Sequence, residues 1–539
     1  MSRQECHSRR ATDLSVSAKR PSRYAPARSY QTHPVASTSD TSRSMRASSR
    51  ARRLLLSPAL LALALWLAPI TLALDNNTIR PRTVYQVVTD RFARTDNSYN
   101  ATCGARNYCG GTWRGLISHL DYIQGMGFDT VWISPIVDNI DGYTHWGEAY
   151  HGYWTRDPTK LNSHFGGKDD LLALSSALHS RGMYLMVDIV VNHVATTQPG
   201  ASFNPGTSYG PFTSQDDFHQ PFCYIDYSSQ TSIETCSLGD SYVPLPDINT
   251  EKASVVTFWN DWIRSTVQTY AIDAIRIDTV KHIRQSFWPG FTSSAGVFNF
   301  GEVFDGNPSY VAAYQNNGVN PLNYPVWYPL VRAFQQVGGN LNDLVWNVGQ
   351  VQGTFKDVGL LGGFVNNHDN PRFEGLTQDP ALRKNIHAFP FVSDGVPIVY
   401  YGSEAGYSGG ADPDNREPFW PTRFRTDMPL YSFFVNLNAV RRAAGKQSGF
   451  YTSKTSMSVL GSNEVLIVKR PLVSILSNRG ASASSVSYTL KAGTTGWKPN
   501  MAVRDAVSSK QYTTDGNGDL VVSVVNGEPL VLLDASLRP

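Results

Sequence analysis

The sequence predicts an α/β fold: a (β/α)8 TIM barrel with a small domain inserted after its third strand and an antiparallel β-sandwich domain at the C-terminal end. Three observations predict it. Strand-length apolar runs alternate with helical stretches from residue 83 to residue 402, as in a parallel sheet covered on both faces. Polar residues gather where those runs end, and barrels of this kind carry their chemistry at the C-terminal ends of the strands. After residue 450 the helical pattern stops, and runs such as "EVLIVKR" and "DLVVSVVNGEPLVLLD" alternate with turn signals.

Ahead of the barrel the chain splits in two. Residues 1–53 are rich in Ser, Arg, Thr and Pro, with too few large apolar groups to offset the entropy of ordering, so a disordered segment is expected. Residues 54–74 form an apolar run behind Arg52 and Arg53, the pattern of a secretory signal peptide, with Thr71-Leu72-Ala73 as a small-residue cleavage site. The run is also long enough to span a bilayer, so a signal anchor is the alternative. Pro58, Pro69 and the cleavage-like end favour removal, and a start at Met45 would leave a conventional signal peptide. The expectation is a secreted, extracellular protein, free of the membrane once the signal is removed. The formal charge of +3 reflects arginines crowded into this leader; the remainder is near neutral, so no basic groove for nucleic acid is expected.

Seven runs supply strands in order: "TVYQVV" from Thr83, "TVWIS" from Thr130, "YLMVDIV" from Tyr184, "AIRID" from Ala274, "VFNFGEV" from Val297, "GGFVNNHD" from Gly362 and "PIVYYG" from Pro397. An eighth, less distinct, is placed near Asn342 to Gln350. Asp90, Asn192 with His193, Asp278, Glu302, and His368 with Asp369 lie at the run ends. Between the third and fourth runs lie about eighty residues, far beyond an ordinary βα loop. Residues 194–250 therefore read as an inserted domain over the catalytic face, dividing the barrel into 75–193 and 251–450 and leaving 451–539 for the sandwich. Asp515, Asn517 and Asp519 imitate the start of a calcium loop, but Leu520 and Asn526 stand where glycine and glutamate are required, so a hairpin turn is expected.

Cys6 lies in the leader. The other four cysteines allow three pairings, and nearness in sequence favours Cys103 with Cys109 and Cys223 with Cys236. No CxxC or CxxH spacing supports a metal site built on them. Asn76 and Asn100 open glycosylation sequons, which matter in a secreted chain.

The stretch "IRIDTVKH", residues 275–282, places charges in an apolar strand. Arg276 and Asp278 share one face and Ile275 and Ile277 the other. A carboxylate turned into a barrel is costly unless paired, and the neighbouring guanidinium is expected to lower its pKa and keep it ionised. A simple buried salt bridge would look the same. Glu302, bracketed by glycines after an apolar run, sits where a raised pKa and a protonated acid are reasonable. With Asp369 this makes three carboxyl groups on three strand ends of one barrel, and glycoside chemistry needs one ionised and one protonated carboxyl.

"VDIVVNH", "IRIDTVKH", "GEVFDG" and "FVNNHDNPRF", in this order and spacing, resemble the four signature regions of glycoside hydrolase family 13, nearest to secreted fungal-type α-amylases. Similarity runs from about Asn76 to the end, through "TDRFARTD", "YHGYWTRD", "LPDINTE" and "DPDNREPFW". The resemblance implies that Asp278 is the nucleophile, Glu302 the general acid and then base, and Asp369 a transition-state stabiliser gripping sugar hydroxyls. It implies that Arg276 holds Asp278 ionised, that His193 and His368 bond the sugar at the cleaved linkage, and that Tyr153 and Trp154 form a stacking platform. Lys281, His282 and Gly306 match residues on the leaving-group side, and Asp412 and Arg416 residues on the far side. Asn192, Glu234, Asp247 and the backbone carbonyl of His282 match the family's ligands to Ca2+, a structural ion fastening the inserted domain over the cleft. The implied partners are starch and maltooligosaccharides, acted on by a monomer.

This chain departs from its relatives at Asn366, where they often carry an acid, in the short loop closed by Cys103 and Cys109, and in lacking two further disulfides. An α-1,4-glucanotransferase would share the covalent intermediate and pass it to a sugar hydroxyl. A membrane-anchored, non-catalytic barrel is a third reading, opposed by the intact Asp278, Glu302 and Asp369.

Overall fold

The computed structural model describes residues 73–537; the expected disordered segment and nearly all of the expected signal peptide lie outside the described residues. Leu74 is buried, and its backbone bonds to the carbonyl of Asp273 and the amide of Phe298. Among the described residues no helix is long and apolar enough to cross a membrane.

Eight parallel strands form the barrel: β1 Val84–Gln86, β2 Thr130–Ile133, β3 Tyr184–Ile189, β4 Ala274–Ile277, β5 Phe298–Gly301, β6 Asn320–Pro321, β7 Gly362–Phe364 and β8 Val396–Tyr400. Their order is β6-β5-β4-β3-β2-β1-β8-β7, and a parallel bridge from Leu322 to Gly362 closes β6 onto β7. Seven strands fall on the seven apolar runs. The eighth does not: residues 341–354 form a helix, N-capped where the Asn340 side chain accepts from the Asp343 amide, and the sixth strand is Asn320–Pro321. A two-residue strand containing proline has no apolar run to announce it.

Strand periodicity layers the barrel interior. Val84, Trp132, Met186, Ala274, Phe298 and Phe364 belong to one buried apolar cluster at the lower end. Side chains two residues farther along a strand share the same face. Val84, Met186 and Ala274 are therefore followed by Gln86, Asp188 and Arg276, a buried polar layer just under the C-terminal rim. Ile275 and Ile277 face outward into the second apolar cluster, shared with the surrounding helices. The helix Ala253–Tyr270 shows why those helices pack there: Val255, Trp259, Ile263 and Val267, spaced by four, are its buried stripe. Gly301 lets β5 approach its neighbours, since a Cβ there would lie 2.2 Å from the Val319 side chain.

Residues 194–250 carry short elements only, including the helix Gln230–Thr235 and the two-residue strands Leu238–Gly239 and Pro244–Leu245. The Cys223–Cys236 disulfide closes this segment, and Cys103–Cys109 closes a loop after β1.

After the last barrel helix, Tyr431–Ala444, come β9 Ser456–Leu460, β10 Glu464–Lys469, β11 Leu472–Ser477, β12 Val486–Leu490, β13 Ala502–Asp505, β14 Gln511–Thr513, β15 Leu520–Val524 and β16 Leu530–Asp534. Six form an antiparallel sheet in the order β9-β10-β11-β16-β13-β14, while β12 and β15 pair separately. The two sheets enclose a core that includes Val468, Ile475, Leu490, Trp497, Val522 and Leu532. The Asp515 turn is not a hairpin: it joins β14 to β15, which lie in different sheets, and the Asp515 carboxylate accepts from the amides of Asn517 and Asp519.

The sheet docks on the barrel through apolar residues and one buried ion pair. Lys469 on β10, 2% exposed, places Nζ 2.8 Å from Asp394 Oδ1 beside the start of β8 and also donates to the Ser453 carbonyl. Asp394 accepts as well from Gln352 and from the backbone and hydroxyl of Thr455. Removing one partner of a buried pair strands the other charge. Asp394→Ala is expected to lower unfolding stability by about 3 kcal/mol; equilibrium denaturant unfolding measures it, and an unchanged midpoint would contradict the role.

Candidate active site

The polar layer converges on Arg276, whose side chain is 1% exposed. Its Nη1 donates to Asp188 at 2.9 Å and to Asp278 at 2.8 Å, and its Nη2 lies 2.9 Å from Glu302 Oε2. One guanidinium thus serves three carboxylates. Parallel pairing explains the first, because Asp188 on β3 stands in register with Arg276 on β4. The other two come from the ends of β4 and β5. Asp188 is further held by Trp132 Nε1 at 3.1 Å and the Tyr153 hydroxyl at 2.7 Å, and burial pushes it up to about 6 against the pull of Arg276. The Thr279 amide donates to Glu302 Oε2 at 3.1 Å, with Thr279 at φ 49°, so the chain turns sharply there to bring β4's end against β5's.

The expectation for Asp278 needs correction. Arg276 does favour the ionised form, but burial and the neighbouring acids Glu302, Asp188 and Asp369 push its carboxyl well above the usual range. The guanidinium divides its charge among three acids instead of serving Asp278 alone. Asp188 and Asp278 therefore influence each other's titration, and neither forms a private pair with Arg276.

Asp369 and His368 follow β7. Asp369 lies 3.2 Å from His368 Nε2 and 3.7 Å from Arg416 Nη2, while Arg416 Nε donates to the His368 carbonyl at 3.0 Å. Arg416 also pairs with Asp412 at 3.1 Å. The His368 ring lies flat on Tyr153, centroids 5.1 Å apart and planes 4° apart. His193 Nε2 donates to the Tyr153 carbonyl, and burial holds this imidazole down to about 4.

An open cleft of about 300 Å³ joins these groups. Asp278, Glu302, Asp369, Tyr153, Trp154, His193, His368, Asp412 and Arg416 line it, with Leu238, Gly239 and Leu245 from the segment after β3. Arg276 lies beneath. Lys281, His282 and Gly306 do not line it: a turn at Val280–His282 carries the first two aside, where Lys281 donates to the Phe304 carbonyl at 2.9 Å and His282 lies 3.5 Å from the Tyr227 hydroxyl. Gly306 sits against Tyr328, 3.1 Å from where a Cβ would lie. A larger concavity of about 810 Å³ opens at the opposite end of the barrel, near Asn299, Asn320 and Asp357; it is lined by no histidine, and its acids are Asp75 and Asp357.

The residues expected to hold calcium can be tested by their unmet bonding. Asn192 Oδ1 and Asp247 Oδ1 are buried acceptors without a protein partner, and Asp247's other oxygen takes His219 at 2.6 Å. An isolated antiparallel bridge between His193 and Asp247 holds the two segments together. Glu234 accepts from Gln230 at 2.7 Å on the helix Gln230–Thr235, which packs on the turn that carries His282. Among the described residues no group of three acidic, His or Cys side chains is placed to hold a metal ion by itself, so a cation here draws on amide and backbone oxygens too. Hard oxygen donors in that mixture suit calcium.

Two residues of the layer escaped the sequence reading. Asp188 and Gln86 lie inside runs taken as plain strands, although a polar side chain amid "YLMVDIV" or "TVYQVV" is the same signal that singled out Arg276. Gln86 Nε2 approaches His368 Nδ1 at 2.8 Å.

Residues 86–457 match the model of the α-amylase catalytic domain, and residues 450–538 that of α-amylase domain C. The chain belongs to the α-amylase family. It is 51% identical over 368 residues to Alpha-amylase 1 of Lipomyces kononenkoae, covering 68% of this chain and 59% of that relative's length. It is 42% identical over 467 residues to Alpha-amylase 2 of Schwanniomyces occidentalis, covering 85% of this chain and 91% of the relative. The structure of an α-amylase from Malbranchea cinnamomea superposes with a TM-score of 0.83 at 44% identity, over 86% of this chain and 98% of that one.

The Arg276 hub makes a stability prediction. Without the guanidinium Asp188 and Asp278 titrate farther above their unfolded value of about 4. Groups whose folded pKa is raised stabilise below the unfolded pKa, and that stability is lost as pH rises through the folded value. Arg276→Met is therefore expected to fall further below wild type at about pH 8 than at about pH 5. Denaturant midpoints at the two values check it, and a deficit independent of pH would contradict it.

Proposed function

We propose that this α-amylase-family protein is a secreted hydrolase that cuts internal α-1,4-glucosidic bonds of starch and maltooligosaccharides with retention of configuration. The observation that carries this reading is one guanidinium bonded through adjacent nitrogens to both Asp278 and Glu302. Sharing one cation suits the closely spaced pair, about 5–5.5 Å apart, that a retaining mechanism uses.

Asp278 attacks the anomeric carbon while Glu302 gives its proton to the departing glycosidic oxygen, leaving a β-glycosyl ester on Asp278. Glu302, now ionised, removes a proton from water; the water oxygen bonds to the anomeric carbon and the Asp278 carboxylate leaves. The general-acid role requires Glu302 to carry a proton when Asp278 attacks as a carboxylate. Asp369, His368 and His193 bond the sugar at the reacting linkage, Tyr153 and Trp154 offer it flat faces, and Asp412 and Arg416 hold the chain on the far side. Lys281, His282 and Gly306 take the leaving-group side, with a longer glucan reaching beyond the innermost cleft. Relatives support the substrate class: an α-amylase of Geobacillus thermoleovorans, 26% identical with a TM-score of 0.72, is known in complex with acarbose.

Calcium would be held by Asn192, Glu234, Asp247 and the His282 carbonyl, and it supplies fixed positive charge that ties the segment after β3 to the barrel. Its work is structural. The paired Cys103–Cys109 and Cys223–Cys236 bonds, with sequons at Asn76 and Asn100, fit export of a monomeric glycoprotein.

Purified protein is expected to release maltose-sized products from soluble starch, α-configured when first formed, with little disproportionation of maltotriose. Extensive disproportionation would favour the glucanotransferase reading instead. Glu302→Gln is expected to lower starch hydrolysis by at least about a hundredfold; unchanged turnover would remove Glu302 from the mechanism. Chelation is expected to lower the thermal midpoint and calcium to restore it better than magnesium, which demands tighter octahedral geometry. A midpoint indifferent to chelator and to added calcium would remove the ion.

A further inference from the structure

On the reading above, His368 meets the substrate with its imidazole edge, and what that edge can do depends on which nitrogen carries the proton. The ring is confined on every side. Tyr153 covers one face. Asp369 Oδ2 stands 3.2 Å from Nε2, and Gln86 Nε2, from β1, stands 2.8 Å from Nδ1. Arg276 and Arg416 face the ring and disfavour a second proton, Glu302 favours one, and His151 is a further neighbour. Burial dominates and keeps the imidazole neutral, with His368 well below its usual range.

A neutral imidazole has one N–H and one bare nitrogen. Asp369 stands against Nε2 as a charge contact, so an N–H at that edge meets the carboxylate favourably where a bare lone pair would be repelled. Nδ1 is then bare and needs a donor, and the primary amide of Gln86 has one. Turned the other way, the Gln86 carbonyl would demand a proton on Nδ1 and set the Nε2 lone pair against the carboxylate. The amide otherwise has little reason to be in the barrel: Gln86 is 2% exposed and its Oε1 has no protein partner, a state that costs stability.

We propose that Gln86 is a positioning residue that locks His368 in the Nε2–H tautomer, so that the imidazole presents a hydrogen-bond donor to the glucan at the reacting linkage. The same lock leaves Asp369 free to turn from its contact with His368 to the sugar, while the ring keeps its plane and its proton.

Neutron diffraction of the wild-type protein reads the proton directly and without turnover, so the lock can be judged even if the glucan reading fails. Deuterium on His368 Nε2 and none on Nδ1 is expected; deuterium on Nδ1 overturns the proposal. Two variants add a kinetic readout. Gln86→Leu is expected to lower kcat on maltooligosaccharides by on the order of tenfold, with KM changed far less. In Gln86→Glu the new carboxylate accepts from Nδ1–H and raises the imidazole pKa. The Nε2–H donor then persists below that pKa and is lost above it, so the alkaline limb of kcat moves to lower pH. A structural role alone would scale activity equally at every pH, and a Gln86→Glu profile superposable on the wild-type profile would overturn the lock.

Discussion

The site depends on one interaction: the Arg276 guanidinium, sealed under the barrel rim and bonded to Asp188, Asp278 and Glu302 together. Three carboxylates around a single buried cation leave more negative charge than the cation can offset. Burial and this crowding push Asp188 and Asp278 upward, and two-carboxyl chemistry needs a proton on one acid and absent from the other. The arginine is thus less a private partner for Asp278 than a shared counter-charge.

That arrangement follows from the barrel's periodicity. Apolar side chains fill the lower interior, and the next residues on the same faces, Gln86, Asp188 and Arg276, make a polar layer beneath the open end. Burial strengthens every contact in the layer, and it makes every unpaired group there costly. The layer is consequently over-braced: Trp132 and Tyr153 hold Asp188, the Thr279 amide holds Glu302, and Arg416 holds both Asp369 and the backbone of His368. In the proposed mechanism substrate groups would meet side chains already braced before binding, the source of preorganised electrostatic stabilisation.

Much of this was legible in the sequence because acids interrupt apolar runs. Asp278, Glu302 and Asp369 stand out for that reason, and they line one cleft with His193, His368 and the aromatic pair Tyr153 and Trp154. The sixth strand was not legible, since Asn320–Pro321 has neither length nor apolar character, and a well-formed helix was mistaken for it. Asp188 and Gln86 were visible but mute: their meaning depends on which strand lies beside which, and only the register of β3 on β4 shows that Asp188 and Arg276 meet. The same reasoning misjudged Asp278, because adjacency along one strand suggested a private pair where the fold built a shared one. Lys281 and His282 show the reverse limit: a single turn after β4 moves them out of the inner cleft that their neighbour Asp278 lines.

In the proposed mechanism Asp278 forms the covalent bond while Glu302 handles the proton. Trapping with a fluorinated α-glycosyl fluoride, which forms the glycosyl-enzyme readily and releases it slowly, followed by mass spectrometry of the digested protein, tests it most directly. One glycosyl unit is expected on the peptide containing Asp278, carried by that residue. A label on Glu302 or Asp369, or products of inverted configuration without any label, would contradict it.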